Sequence, residues 1–294
     1  MQIGLTLPTM VANLDRPTIL EWMRRIDAGP FSSLAAGERI AFPNQELMVT
    51  MAAAAAVTAR VRLVTTIVIL PMHSAPLIAK QAATLDVLSG GRLTLGLGVG
   101  GRDEDYRAVG ASFARRVPRL AEQVSVMRAV WRGEQMVPNV NPIGPRPVQP
   151  GGPELLIGAM LPGSIRRAAE WADGVTGWSF KPDPAEVTGT FRMVEDAWKE
   201  AGRTKRPRLV TGFWFALGAN GREQMDAYVR SYLGNFGDSV TGAIAEGIAA
   251  TSAATVRDAC RALADVGTEE LILVPTTADL DEIDRLEELI AGLG

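Results

Sequence analysis

Several residue types are scarce in this 294-residue chain. Cys260 is the single cysteine. No disulfide framework can form within the chain, and a reducing, cytoplasmic setting is expected. His73 is the single histidine. One imidazole among scattered acids makes no metal-ligand cluster, so no metal site is expected. Only four lysines occur, and arginine carries nearly all the positive charge. The 30 basic and 33 acidic residues leave a net charge of −3. That balance gives no reason to expect nucleic acid or an anionic membrane as a partner. The longest apolar stretch, Met48 to Pro71, is interrupted by Arg60 and Arg62. It reads as a helix and a buried strand, not as a membrane span. The opening residues, MQIGLTLPTMVANLD, hold no basic segment ahead of an apolar core, so no secretory signal is expected.

What is present is apolar and periodic. Hydrophobic residues make up 47% of the chain, enough for one large domain over residues 1–294. Strand-like runs alternate with helical segments. QIGLTL (2–7) is stopped by Pro8, and FSSLAA (31–36) follows a helix at 19–27. A helix at 45–59, ending AAAAAVTAR, leads to VRLVTTIVIL (61–70). That run, rich in Val, Ile and Thr, suits a strand buried on both faces of a parallel sheet. RLTLGLG (92–98), ELLIGA (154–159), GVTGWS (174–179), RLVTGFWFAL (208–217) and ELILV (270–274) complete the set. Helices are expected at 115–132, 162–172 and 184–201, over a long region at 222–265, and at the end of the chain. Residues 133–153 hold six prolines and four glycines and read as a long loop. Eight strand–helix units point to a (β/α)8 TIM barrel with insertions in the loops after strands four and seven. An open doubly wound sheet is the alternative. In a barrel, functional residues lie on the loops that follow the strands. The loop at 133–153 and the region 218–250 are expected to form substrate walls.

LTLGLGVGGRDEDY (93–106) carries Gly96, Gly98 and Gly101 in G-x-G-x-x-G spacing. A dinucleotide-binding turn needs the first strand–helix unit of its domain, a helix opening at the third glycine, and an acid about 20 residues on. Here the glycines follow the fourth strand, and the charged RDEDYR reads as an irregular rim loop. Their expected use is to let a flat group approach the strand end.

LSGGRLTLGLGVG, preceded by AKQAATLD and TTIVILP, resembles the luciferase-like monooxygenase superfamily. The resemblance runs from QIGLTLP through IGAMLPGSIRRAAEWADGV. It implies a TIM barrel that uses coenzyme F420 or flavin mononucleotide (FMN), and often a homodimer. It also implies a bulge with a non-proline cis peptide at Ile67-Val68, behind the cofactor ring, with Gly98 beside it. The cofactor phosphate would lie near the loop after strand five, at Gly158, Ala159, Met160, Pro162, Gly163 and Ser164. The loop after strand six, with Trp178, Ser179 and Lys181, is the other candidate. Many F420-dependent relatives carry an acid followed by a catalytic His after strand two. This chain has Glu38 and then Arg39. Relatives that oxidise sugar phosphates carry a Glu where Gly101 stands, so that reaction is not expected here. Arg39 cannot act as a base at neutral pH but can hold an anionic group. His73, just past Pro71, is a candidate proton donor.

The leading expectation is hydride transfer between F420 and a small organic substrate, with Glu38, Arg39 and His73 as catalytic candidates. Oxygen insertion with reduced FMN is the alternative within the family. A non-catalytic, cofactor-binding member is a third reading. A barrel lyase or isomerase is the fourth, but Lys80 falls in a helix and Lys181 in a loop, so neither suits a Schiff base.

Overall fold

The computed structural model describes residues 1–293. The chain begins β1 (Gln2–Thr6), α1 (Arg16–Ala28), β2 (Ser33–Ala36), α2 (Leu47–Val57), β3 (Arg62–Ile69) and α3 (Ala75–Ser89). It continues β4 (Leu93–Gly98), α4 (Asp103–Ala108), α5 (Arg116–Arg132), β5 (Glu154–Ile157), α6 (Pro162–Ala168), β6 (Gly174–Thr176) and α7 (Pro184–Glu200). It ends β7 (Arg208–Phe215), α8 (Gly221–Leu233), α9 (Asp238–Gly247), α10 (Ala253–Asp265), β8 (Glu270–Pro275) and α11 (Asp281–Ala291). The eight strands pair in sequence order and close into a parallel barrel, β1 pairing with β8. The open-sheet alternative is excluded. No helix among the described residues is long and apolar enough to cross a membrane.

Two compact groups of residues can be distinguished. One holds residues 1–35, 177–192 and 209–294, and the other residues 36–176 and 193–208. In the first, β1 pairs with β8 and β8 with β7, in register from Val210↔Glu270 to Phe215↔Pro275. Indole Nε1 of the fully buried Trp22 donates to Ala278 O at 3.0 Å and ties α1 to the segment after β8. In the second, β3, β4, β5 and β6 pair in order. The interior of this group begins with a polar layer. Arg62 donates to Thr94 Oγ1 at 2.5 Å, Thr94 donates to Glu154 at 3.1 Å, and Arg208 pairs with Glu154. Interior charges with shared hydrogen bonds avoid the cost of lone buried ions.

Three expectations need correction. The region at 222–265 is not one helical stretch. Gly237, at φ 87°, separates α8 from α9, and Ser252 starts α10 with a capping box. RDEDYR is not an irregular loop: it forms α4, with Asp103, Glu104 and Asp105 in the first turn, where acids favour a helix. The loop at 133–153 does not wall the substrate end. Asp86 of α3 accepts the Val148 and Gln149 N–H groups at 2.7 and 2.9 Å. Gln149 Nε2 donates to Leu93 O, the first residue of β4, at 2.7 Å. That end of the loop is therefore pinned at the amino ends of the strands, opposite the expected site.

Candidate active site

The ends of β2 and β3 meet around one carboxylate. Glu38 is buried just past β2. Its Oε2 accepts the Ile69 N–H at 2.6 Å, and its Oε1 lies 2.9 Å from His73 Nε2. A short 3-10 turn, Leu70–Met72, carries the chain from β3 to His73. Gln123 of α5 donates to the His73 carbonyl at 2.8 Å and fixes the backbone there. The imidazole remains 21% exposed while the Glu38 side chain is 1% exposed. Such a pair holds a titratable ring at the strand ends with one nitrogen committed to a buried acid. Glu38 and His73 are separate candidates in the sequence, 35 positions apart. Nothing in local patterning joins them; only the adjacency of β2 and β3 in the barrel does.

Arg39 has a different role. Its Nε donates to Asp105 Oδ2 at 2.7 Å, and its guanidinium lies 3.6 Å from Glu104. Both members of the main pair are buried, with side chains 4% and 1% exposed. Asp105 Oδ1 also accepts the Ile40 and Ala41 N–H groups at 3.1 and 2.7 Å. Arg39 therefore clamps the segment after β2 to α4, and it does not present its charge to an anionic ligand. Asp105 is the residue the sequence reading missed, because its charged neighbours suggested a solvated rim. Next to it, Tyr106 is buried and donates to Val99 O at 2.6 Å. Burial pushes its phenol up to about 12, so it stays a proton-bearing donor.

The register of β3 against β4 shifts between Thr65 and Val68. The cis bond is Thr66–Ile67, one residue ahead of the expected Ile67-Val68. Val68 is fully buried and pairs with Leu97, whereas Ile67 is half-buried. The glycines explain where Ile67 goes. A Cβ on Gly98 would fall 2.0 Å from Ile67 Cδ1, and one on Gly158 2.8 Å from Ile67 Cγ2. A Cβ on Gly96 would fall 2.1 Å from the Thr65 carbonyl oxygen. Gly96 and Gly98 thus make room for the bulge itself, not directly for a flat ligand. Gly101 is exposed with nothing near its Cβ position.

The remaining candidates are dispersed. Met160 is exposed, while Gly158, Ala159, Gly163 and Ser164 are half-buried. Pro162 opens α6, and the Ser164 N–H bonds to Leu161 O within that first turn. Ser179 is buried and donates to Glu186 at 3.0 Å while accepting the Asp183 N–H, so its hydroxyl organises the start of α7. Lys181 is exposed, and its side-chain end lies over Gly247 at the close of α9. Trp178 packs on Trp214, ring centroids 4.8 Å apart. No group of three or more His, Cys, Asp or Glu able to hold a metal occurs among the described residues.

Residues 1–291 match the family described as luciferase-like monooxygenase. The chain belongs to that family. An uncharacterized protein of Mycobacterium tuberculosis is 32% identical over 169 residues, a stretch covering 55% of this chain and 59% of that protein. The 4-hydroxyprotoasukamycin monooxygenase of Streptomyces nodosus subsp. asukaensis is 30% identical over 52% of this chain and 45% of its own length. The match thus spans about half the length of these curated relatives. Among solved structures, an F420-dependent secondary alcohol dehydrogenase, in complex with an F420-acetone adduct, matches with TM-score 0.79. It is 17% identical and covers 100% of both chains, a likeness of fold.

Proposed function

We propose that this luciferase-like oxidoreductase transfers a hydride between F420 and a small organic substrate at the carboxyl ends of the strands. The observation that carries the reading is the Glu38–His73 pair. When bound, F420 supplies or accepts the hydride. The chain's own part is the proton. A carbonyl that gains a hydride needs one proton on its oxygen, and an alcohol that loses one must release it. Glu38 spends Oε2 on the Ile69 N–H and Oε1 on His73 Nε2. With Nε2 engaged by Glu38, Nδ1 is the nitrogen left for the substrate oxygen: it takes up the proton that an alcohol releases and, from the doubly protonated ring, gives one to a carbonyl. The residues suit a flat, conjugated cofactor. Ile67, braced on Gly98 and Gly158, offers a half-buried apolar surface at the strand ends. Met160 to Ser164 and Lys181 remain the candidates for its phosphate.

Oxygen insertion with reduced FMN is the second reading, favoured by the 30% identity to a named monooxygenase. Titration with F420 and with FMN, followed by cofactor fluorescence, separates the two. Micromolar F420 binding without FMN binding is expected, and binding of neither sinks both readings. His73→Gln should lower turnover by about 10²–10⁴-fold while leaving F420 affinity unchanged.

We further propose a homodimer through α2 and α3. Helix α2 is apolar on all sides yet leaves Val49 71% exposed, and α3 leaves Leu77 54% and Leu88 59% exposed. Light scattering should give twice the 31.4 kDa chain mass, and Val49→Glu with Leu77→Glu should halve it.

A further inference from the structure

Trp178 and Phe180 after β6, Trp214 on β7, and Tyr228 and Tyr232 on α8 form one aromatic cluster. Trp214 meets Trp178 at 4.8 Å and 66°, Phe180 at 5.5 Å, and Tyr232 at 5.7 Å and 80°. Every other member of the cluster is apolar, including Met10, Val11, Ile244 and Val274. Trp178, Phe180, Tyr232, Met10 and Val11 are half-buried, so this surface is not sealed.

Strand register shows which side of the sheet this is. Gly4 and Gly212 both pair with Ile272, and Trp214 pairs with Val274. Side chains two apart on a strand share a face. Thr6, Val274 and Trp214 therefore sit one level above Gly4, Ile272 and Gly212, on the same face. A Cβ on Gly212 would lie 3.6 Å from the Trp178 ring, which places that indole over the face as well. Thr6 lies on this face with a hydroxyl that has nothing to bond, and Thr9, three residues further along the chain, has another. Thr6 is 6% and Thr9 2% exposed, and neither Oγ1 has a hydrogen-bond partner. Thr9 directly precedes Met10 and Val11, which pack on the aromatic cluster. Buried hydroxyls are paired as a rule, and an unpaired one calls for a ligand or a cost.

We propose that this face is the subsite for an uncharged, planar aromatic substrate bearing a hydroxyl or carbonyl group. Rings that already meet edge to face offer both edges and faces to another ring. The surface these side chains present is aromatic and aliphatic, which suits an uncharged ring. Thr6 and Thr9 supply hydroxyls for the substrate oxygen. The proposal rests on the oxidoreductase reading above, but its test needs no cofactor.

Calorimetric titration of the whole chain with 2-naphthol and with its saturated analogue, decahydro-2-naphthol, decides it. The aromatic probe should bind about tenfold tighter. Trp178→Leu should remove that preference. Thr6→Val and Thr9→Val preserve shape, and each should weaken 2-naphthol roughly threefold to tenfold with a melting temperature that is not lowered. F420 and FMN affinities should move less than about twofold in all three variants, well under the tenfold that one ordinary contact can give. Equal binding of the two probes, absence of binding, or indifference to all three variants overturns the proposal. Parallel loss of cofactor and naphthol binding also overturns it, because the face would then belong to the cofactor. Naphthol binding with no affinity for either cofactor would leave this subsite standing and fell the oxidoreductase reading alone.

Discussion

Gly98→Ala gives the sharpest test of why this chain uses glycine where it does. Gly98 has no left-handed backbone angle, so alanine is allowed there by conformation. The obstacle is space. The new methyl would lie 2.0 Å from Ile67 Cδ1 and 3.2 Å from Gly158 O. Ile67 must leave its rotamer or the bulge must shift, which costs about 1–3 kcal/mol. Gly96→Ala is a harsher change, because its methyl would meet the Thr65 carbonyl oxygen at 2.1 Å, and backbone cannot swing aside. A loss above about 3 kcal/mol is expected. Gly101→Ala meets nothing and should stay within about 0.5 kcal/mol. Urea unfolding should rank the losses Gly96→Ala above Gly98→Ala above Gly101→Ala. Ile67→Val removes the colliding Cδ1 atom at a cost of about 0.5–1.5 kcal/mol by itself. The Gly98→Ala and Ile67→Val pair should then recover about 1 kcal/mol or more relative to additivity. Strict additivity would refute the reasoning, since Gly98 would not be making room for Ile67.

Asp105→Asn removes the charge that pairs with buried Arg39 and should cost about 3–5 kcal/mol, read as a fall in thermal midpoint; a cost below about 1 kcal/mol would mean Arg39 is not held by this clamp. Glu282 of α11 accepts the Leu217 N–H at 2.5 Å, and burial raises its carboxyl above the ordinary 4.5 against the opposing pull of that bond and Arg285. The folded state therefore holds this proton more tightly than the unfolded state. Its contribution favours folding at and below pH 4.5 and is lost as pH rises through the raised folded value. Urea midpoints of wild type and Glu282→Gln, followed upward from pH 4.5, should shift in favour of the variant; a constant gap would refute the assignment. Cys260 is buried, which pushes its thiol up to about 12, so the native chain should not react with a thiol-specific chromogen until denaturant is added.

Much of the barrel was legible because period and punctuation agree. The apolar run at 61–70 and the glycine pair at 90–91 bound real elements: β3, and the left-handed cap of α3. Length along the chain was less legible than type. Ser179 still donates its N–H to Gly212 O, although β6 ends at Thr176, so a strand-like run outlasts its regular strand. The site was half legible. Glu38 and His73 stood out singly, by residue type and by position after a strand. Their pairing depends on β2 and β3 lying side by side, which no local pattern encodes. Asp105 was hidden because three acids in a row look the same whether solvated or, as here, with one of them buried against an arginine. The 133–153 loop was assigned to the wrong end because composition marks a loop but not the face on which it lies. Only its position, after a helix and before a strand, decides that.

The most recognisable string of the chain also proves the least informative about chemistry. In A-A-T-L-D-V-L-S-G-G-R, Asp86 is spent on the Val148 and Gln149 N–H groups. Arg92 donates to Thr58 O, Val61 O and Ser89 O at 2.7–2.8 Å. Both residues tie helix ends and loops together where β3 and β4 begin, while Glu38 and His73 lie where β2 and β3 end. A motif that fixes the geometry of those turns can be read from sequence, because each of its residues answers to a local constraint. The reacting end has no such constraint. There Arg39 is held in an ion pair with Asp105, and the one imidazole stands at residue 73, after β3. Membership of the family and the identity of the reaction are therefore written in different halves of the barrel's height. The first is settled by turns such as Asp86 and Arg92. On the reading proposed above, the second turns on the ring of His73, so substitution at residue 73 tests the chemistry while substitution at residue 86 tests the fold.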